Sequence, residues 1–183
     1  SINATQTQAG NGSKIDVTAG TGAIGIGVGV GYAGIVNKGA TDIDIAGSSI
    51  TGTENVIVSA LDESKHNTQI LNVGVSSINA TTTFASVENK SNVGVTLSGT
   101  NNISAGKEIA IDAKRANALE AHTQGVGVGG VNVAVNHATI EDGGKDGNRD
   151  TGNVTAKITG TNGTFSAGSD DYAGKFHLGA TND

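Results

Sequence analysis

One interval organises this chain. Residues 26–37 (IGVGVGYAGIVN), 78–89 (INATTTFASVEN) and 131–142 (VNVAVNHATIED) align without gaps. The match brings Ile26, Ile78 and Val131 into correspondence, then Tyr32, Phe84 and His137, then Asn37, Asn89 and Asp142. A second set follows: TDIDIAG (41–47), VGVTLSG (93–99) and, displaced by the extra residues at 143–152, VTAKITG (154–160), with Gly47, Gly99 and Gly160 aligned at its end. SSITG (48–52), NNISAG (101–106) and NGTFSAG (162–168) come next. A further strand opens each cycle: IDVTA at 15–19, VIVSA at 56–60, IAIDA at 109–113 and FHLGA at 176–180. A cycle of about 52–54 residues marks an array, in which no unit buries its apolar face alone and stacked neighbours complete the core.

Within each cycle the apolar residues alternate, as in Val56 and Val58, Ile43 and Ile45, or Val95 and Leu97. That is the period of a strand with one buried face. The strands are separated by Gly, Asn, Ser and Thr, which supply turns. KRANALEAHTQ (114–124) is the only stretch of helix-friendly composition. Aromatics make up 3% of the residues, and Pro, Cys, Met and Trp are absent, so the core is expected to be thin and built from small side chains. The fold class expected is therefore all-β, a parallel, right-handed β-helix solenoid with roughly two coils per cycle. At about 4.8 Å between strands, roughly seven coils would span about 30–35 Å. A β-sandwich shares the short strands and is the alternative fold.

The chain reads as a single segment, 1–183, of a longer protein. Its repeats run approximately over 1–52, 53–106 and 107–168, with a loop inserted at 143–152. Residues 169–183 form a divergent tail or the start of a next repeat. Aligning IDVTA with VIVSA implies that the first copy lacks about 11 residues between Ala19 and Ile26, and His66 and His122, which fall in the segment it lacks, are expected in a loop-out.

The glycines pose a choice. Gly20, Gly22 and Gly25, and again Gly125, Gly127 and Gly130, fit G-x-G-x-x-G, but a dinucleotide loop opens a helix. Here more alternation follows. The strand reading places Ile24, Ile26, Val28 and Val30 in the core, with Gly25, Gly27, Gly29 and Gly31 forming a bare outer strip. That strip eases a tight corner or packs against another segment or chain. The phase of alternation slips at Ser76-Ser77 and Gly129-Gly130, as at a bend.

Chemistry is sparse. There is no Cys nucleophile and no G-x-S-x-G elbow, and His66, His122, His137 and His177 lack metal-ligand spacing. No catalytic residue and no resident cofactor is expected. Asp42 and Asp44 share one strand face, but their aligned positions are Gly94 and Thr96, then Thr155 and Lys157, so a solvated face is expected rather than acid–base work. The oxygen donors Asp142, Asp146, Asn148 and Asp150, interleaved with Gly, are a candidate Ca²⁺ site, although the spacing is not that of an EF-hand. Asn-x-Ser/Thr sequons occur at Asn3, Asn11, Asn79, Asn89, Asn102, Asn153 and Asn162. The net charge of −6, without a basic run, gives no footprint for nucleic acid or an anionic membrane. No apolar run is long enough for a spanning helix, so no membrane insertion is expected.

The GVGVGGVNVAVN, NVGVTLSGTNNISAG and IAIDAKRAN segments resemble the passengers of bacterial filamentous adhesins, of the filamentous-haemagglutinin type and the leukotoxin-like filamentous adhesins of Gram-negative bacteria. The resemblance covers most of the chain and is one of texture and repeat length. It implies an extracellular, cell-surface β-helical shaft that touches host or neighbouring-cell proteins or glycans. It carries over no functional residues. Self-association into fibres, through coil ends or the Gly strip, is the alternative, and a carbohydrate-active β-helix enzyme a third.

Overall fold

A computed structural model describes residues 1–7, 13–143, 153–160, 163–169 and 172–182. It is all-β, with parallel strands stacked as in an open parallel β-helix solenoid and no helix among the described residues. Five sheets result. Sheet A contains β1 (Ile2–Thr7), β6 (Asn55–Glu63), β11 (Glu108–Arg115) and β17 (Lys175–Asn182). Sheet B contains β2 (Ser13–Gly22), β7 (Lys65–Val75) and β12 (Ala118–Val128). Sheet C contains β3 (Ile26–Asn37), β8 (Ile78–Asn89) and β13 (Val131–Asp142). Sheet D contains β4 (Ala40–Ala46), β9 (Asn92–Ser98) and β14 (Val154–Thr159). The short sheet E contains β5 (Ser49–Gly52), β10 (Asn102–Ala105) and β15 (Thr164–Ser169), with β16 (Tyr172–Ala173) antiparallel to β15. The helix-friendly stretch at 114–124 is strand at both ends, finishing β11 and opening β12.

The aligned residues stand in file. Ile26, Ile78 and Val131 are direct ladder partners, as are Tyr32, Phe84 and His137. Because β8 pairs with β3 on one side and β13 on the other, nothing lies between successive copies. Each cycle is therefore one five-strand coil, not two coils, and column members sit one strand spacing apart. The four strands of sheet A span only about 15 Å.

Pairing also corrects one alignment. IDVTA lies in β2 opposite Thr68–Asn72 of β7, while β1 takes the place beside β6. The first copy thus has no deletion there, and His66 and His122 sit on strands rather than in a looped-out segment. The alternation signal was equally strong in both registers; only the five-strand coil distinguishes them.

Sheets A and D face each other around the main core, closed at one end by sheet E. Val58, Val95, Leu97, Ile103, Ile109 and Ile111 are buried there. Each such side chain contributes about 1.5–3 kcal/mol by leaving water. Opposite parity faces out, including Asp42 and Asp44. Corners are tied by asparagine: the Asn101 side-chain Oδ1 accepts from the Ser48 N–H at 2.9 Å, and the Asn117 Oδ1 accepts from the Ser64 N–H at 3.0 Å. Gly47 and Gly99 turn the chain from sheet D to sheet E with φ of 57° and 70°, a region costly for residues with a Cβ.

Val58→Asp or Ile111→Asp places a carboxylate in this core, and the expected loss of about 3–5 kcal/mol abolishes cooperative urea unfolding. Asp44→Ala, on the outer face, should move the midpoint by less than about 0.5 kcal/mol. Equal damage from both kinds of variant would contradict the facing assigned here.

Candidate contact surface

Sheets B and C make a second half, a thin wing joined to the A/D half and ending at the turns 23–25, 76–77 and 129–130. Between the halves lies a polar seam. Asp62, Ser64, Asn89, Ser91 and Arg115 are all fully or almost fully buried in it. Ser64 and Ser91 donate their hydroxyls to the Asp62 carboxylate, the latter at 2.5 Å. Arg115 donates to the Ser91 carbonyl and, at 3.3 Å, to the Asp142 carboxylate. The Asn37, Asn89 and Asp142 column forms a ladder beside it: Asn37 donates to Asn89 at 2.9 Å, and Asn89 to Asp142 at 3.0 Å. A buried guanidinium needs such partners, because an unpaired buried charge is expensive.

Asp142 is thus engaged with Asn89 and Arg115. The other three candidate Ca²⁺ donors, Asp146, Asn148 and Asp150, lie outside the described residues. Among the described residues no group of three or more His, Cys, Asp or Glu is placed to hold a metal. Two sequons, Asn79 and Asn89, point inward and are buried, so the folded chain cannot carry a glycan there. Burial, followed by the charge of Asp44, raises the Asp42 carboxyl above its ordinary range, while Asp42 and Asp44 remain on the outer face of sheet D.

The wing is built the other way round from the A/D half. Four of its glycines face in: Gly27, Gly29, Gly31 and Gly74 are buried, whereas Ile26, Val28 and Val30 are 66–68% exposed. The expectation of an apolar core face and a bare outer glycine strip is therefore reversed. The reason is the distance between the walls. A Cβ on Gly74 would lie 2.0 Å from the Asn79 side chain, and one on Gly27 2.8 Å from the Ser76 hydroxyl. The interior near the tip has room for one side chain from one wall and none from the other. The side chains that do enter are mostly polar: Thr68, Asn72, Asn79, Thr81 and Thr83 are buried. Thr83 donates to Asn136 at 2.7 Å. Ile70, Ala33 and Ala85 form a small apolar contact deeper in.

The outer faces of the wing grade from charged to apolar toward the tip. On sheet B the successive outward rungs are Lys14/Asn67/Glu120 and Asp16/Gln69/His122, then Thr18/Leu71/Gln124. Gly20/Val73/Val126 and Gly22/Val75/Val128 complete the series. On sheet C, from the tip inward, the rungs begin Ile26/Ile78/Val131 and Val28/Ala80/Val133, followed by Val30/Thr82/Val135. The Tyr32/Phe84/His137 row comes next, with Phe84 and His137 rings 6.1 Å apart. Only after it do Glu88 and Glu141 appear on this face. At the turn, Ile24 is fully exposed.

His66 faces into the wing near the seam. It is 4% exposed, and neither ring nitrogen has a hydrogen-bond partner among the described residues. Burial holds its pKa below the ordinary 6.5, against an opposing pull from the Asp62 charge. The place of His66 on a strand follows from the corrected register of β2 against β7. Arg115 and Asp62 are legible by parity: Arg115 shares the face of Ile109, Ile111 and Ala113, and Asp62 that of Val56, Val58 and Ala60.

Comparison with protein-family models, curated proteins and solved structures finds no match to this chain.

Two outcomes check the wing. Gly74→Ala should cost about 1–3 kcal/mol in urea unfolding. With Asn79→Ala present the loss should fall well short of the sum of the two single changes, since the clash partner is gone; strict additivity would contradict the close approach. A histidine whose folded pKa is depressed adds stability above its unfolded pKa near 6.5, and that stability is lost as pH falls through 6.5 toward the folded value. His66→Leu should therefore lose less stability than the parent chain between about pH 7.5 and about pH 5.5. An identical pH dependence would show that His66 is not buried in neutral form.

Proposed function

We propose that this chain is a structural and adhesive segment of a secreted bacterial cell-surface filament. Its coils form a shaft, and its outer faces meet proteins or glycans of a host or neighbouring cell. In this reading the chain does no covalent chemistry and needs no cofactor. The observation that supports it best is the one-cycle register of every parallel ladder. A chain with that register lengthens by whole cycles, each adding a coil on the same core, the same asparagine corners and the same outer faces. The texture shared with filamentous adhesin passengers points the same way. Beads coated with the chain should be retained on cultured cells under flow more strongly than beads coated with an unrelated protein of equal net charge. Equal retention would count against the adhesive part of the proposal.

A second reading, self-assembly into fibres, is favoured by the rims. Among the described residues no strand pairs with the outer edge of β3 or of β13, and open edges of this kind pair readily with other strands. The buried position of the glycines leaves coil ends, not a glycine strip, as the means of joining. In this reading light scattering rises with protein concentration and filaments appear by electron microscopy; a monodisperse species at all concentrations would remove it.

A further inference from the structure

We propose that the tip of the B/C wing docks into the hydrocarbon of a lipid leaflet. The inference goes beyond the shaft reading and does not depend on it.

Three observations carry it. The first is the reversal of facing within one coil. In the A/D half, apolar side chains point in and charged ones out, as in any chain surrounded by water. In the outer part of the wing, glycine and polar side chains point in and valine, isoleucine and aromatic side chains point out, while the inward apolar residues Ile70, Ala33, Ile35, Ala85 and Val87 lie deeper, toward the seam. Apolar-out, polar-in alternation is the pattern of strands whose surroundings are lipid.

The second is charge. Residues 17–35, 70–87 and 123–140, which lie in register and build the outer wing in the three coils, contain no Asp, Glu, Lys or Arg. Charges return behind this zone, as Lys14 and Asp16 on sheet B and as Glu88 and Lys90 near the end of β8. Between the tip and Glu88 on sheet C lies the row of Tyr32, Phe84 and His137, and tyrosine is a residue type that settles at a membrane–water boundary. From Ile26 to Tyr32 the strand advances about 20 Å at about 3.3 Å per residue. That reaches through one leaflet, about half of a 30 Å hydrocarbon core.

The third is area and placement. The outward apolar side chains of sheet C form one contiguous exposed face, from Ile26, Val28 and Val30 (66–68% exposed) through Ile78 and Phe84 to Val131, Val133 and Val135 (54–56%), and a large contiguous apolar patch marks an interaction surface. In the middle coil, which has neighbours on both sides, Val75 is still 54% exposed and Ile78 46%. The apolar surface continues round the tip through Ile24 onto sheet B. A second copy laid on one face would cover that face and leave the other and the tip in water. A leaflet covers both faces and the tip together. The expectation of no membrane insertion rested on helical spans and basic charge; neither criterion detects a strand-built apolar wing.

The chain has no Trp, so Ile24→Trp and Val28→Trp each introduce a single fluorophore, with Asp44→Trp on the A/D half as the control. With neutral phosphatidylcholine vesicles, the Ile24→Trp and Val28→Trp variants should shift to the blue and be quenched by acyl-brominated lipid, equally at low and high salt. The Asp44→Trp variant should do neither. Val28→Asp combined with Val75→Asp, both at exposed positions, should leave the urea midpoint in place and weaken co-sedimentation with vesicles at least about tenfold. Absence of quenching in all three fluorescent variants would overturn the proposal. A blue shift without vesicles that grows with protein concentration, and that vesicles do not alter, would overturn it in favour of a second copy as the occupant.

Discussion

The rest of the structure depends on the one-cycle parallel register. Once residue 78 pairs with residues 26 and 131, equivalent positions of the cycle meet along every column, and in several of them like residue types stack. Each column then becomes a local device repeated along the axis. Asparagines donate to one another at the seam, glycines turn the corner at 47 and 99, and valines and isoleucines stack in the A/D core. A shift of one residue would turn every side chain to the other face, so a core on one half is enough to lock the ladder on the other.

That locking explains how one coil holds two opposite halves. The A/D half excludes water from a continuous apolar core of ordinary kind. The wing has almost no such core; its walls are too close for one. Its order comes from the ladders, from a few inward polar bonds and from attachment through the seam. The buried Arg115 and Asp62 stand where the two regimes meet; Ser64 and Ser91 donate to Asp62, and Arg115 donates through its terminal nitrogens to Ser91 and Asp142. A buried polar seam adds little net stability of its own, since a well-packed apolar replacement of similar volume is often as stable.

Much of this was legible in the residues. The repeat gave the all-β, parallel solenoid and the aligned columns, and Val58 and Ile111 were assignable to the core from alternation alone. The number of coils was not, because a period measures the interval between equivalent residues and not how many turns the chain makes within it. The wing was misread because alternation separates two faces without saying which is inside. The sign was present further along the same strands. Glu88 shares parity with Ile78 and Phe84, and Glu141 with Val131 and Val135. Following that parity to the charged end places the valines and isoleucines outside. The candidate Ca²⁺ donors were recognisable by type, yet Asp142 belongs by its ladder to the asparagine column.

Because the chain has no cysteine, the facing of each strand can be read by introducing one at a time. Val28→Cys and Val30→Cys in the wing should react with a water-soluble maleimide at the rate of an exposed thiol, while Ile43→Cys and Ile45→Cys in the A/D half are protected until the chain unfolds. These four positions carry similar side chains at the same alternation, so hydrophobicity alone would treat them alike. Protection of Val28→Cys and Val30→Cys to the degree of Ile43→Cys would contradict the reversed wing and, with it, the architecture set out above.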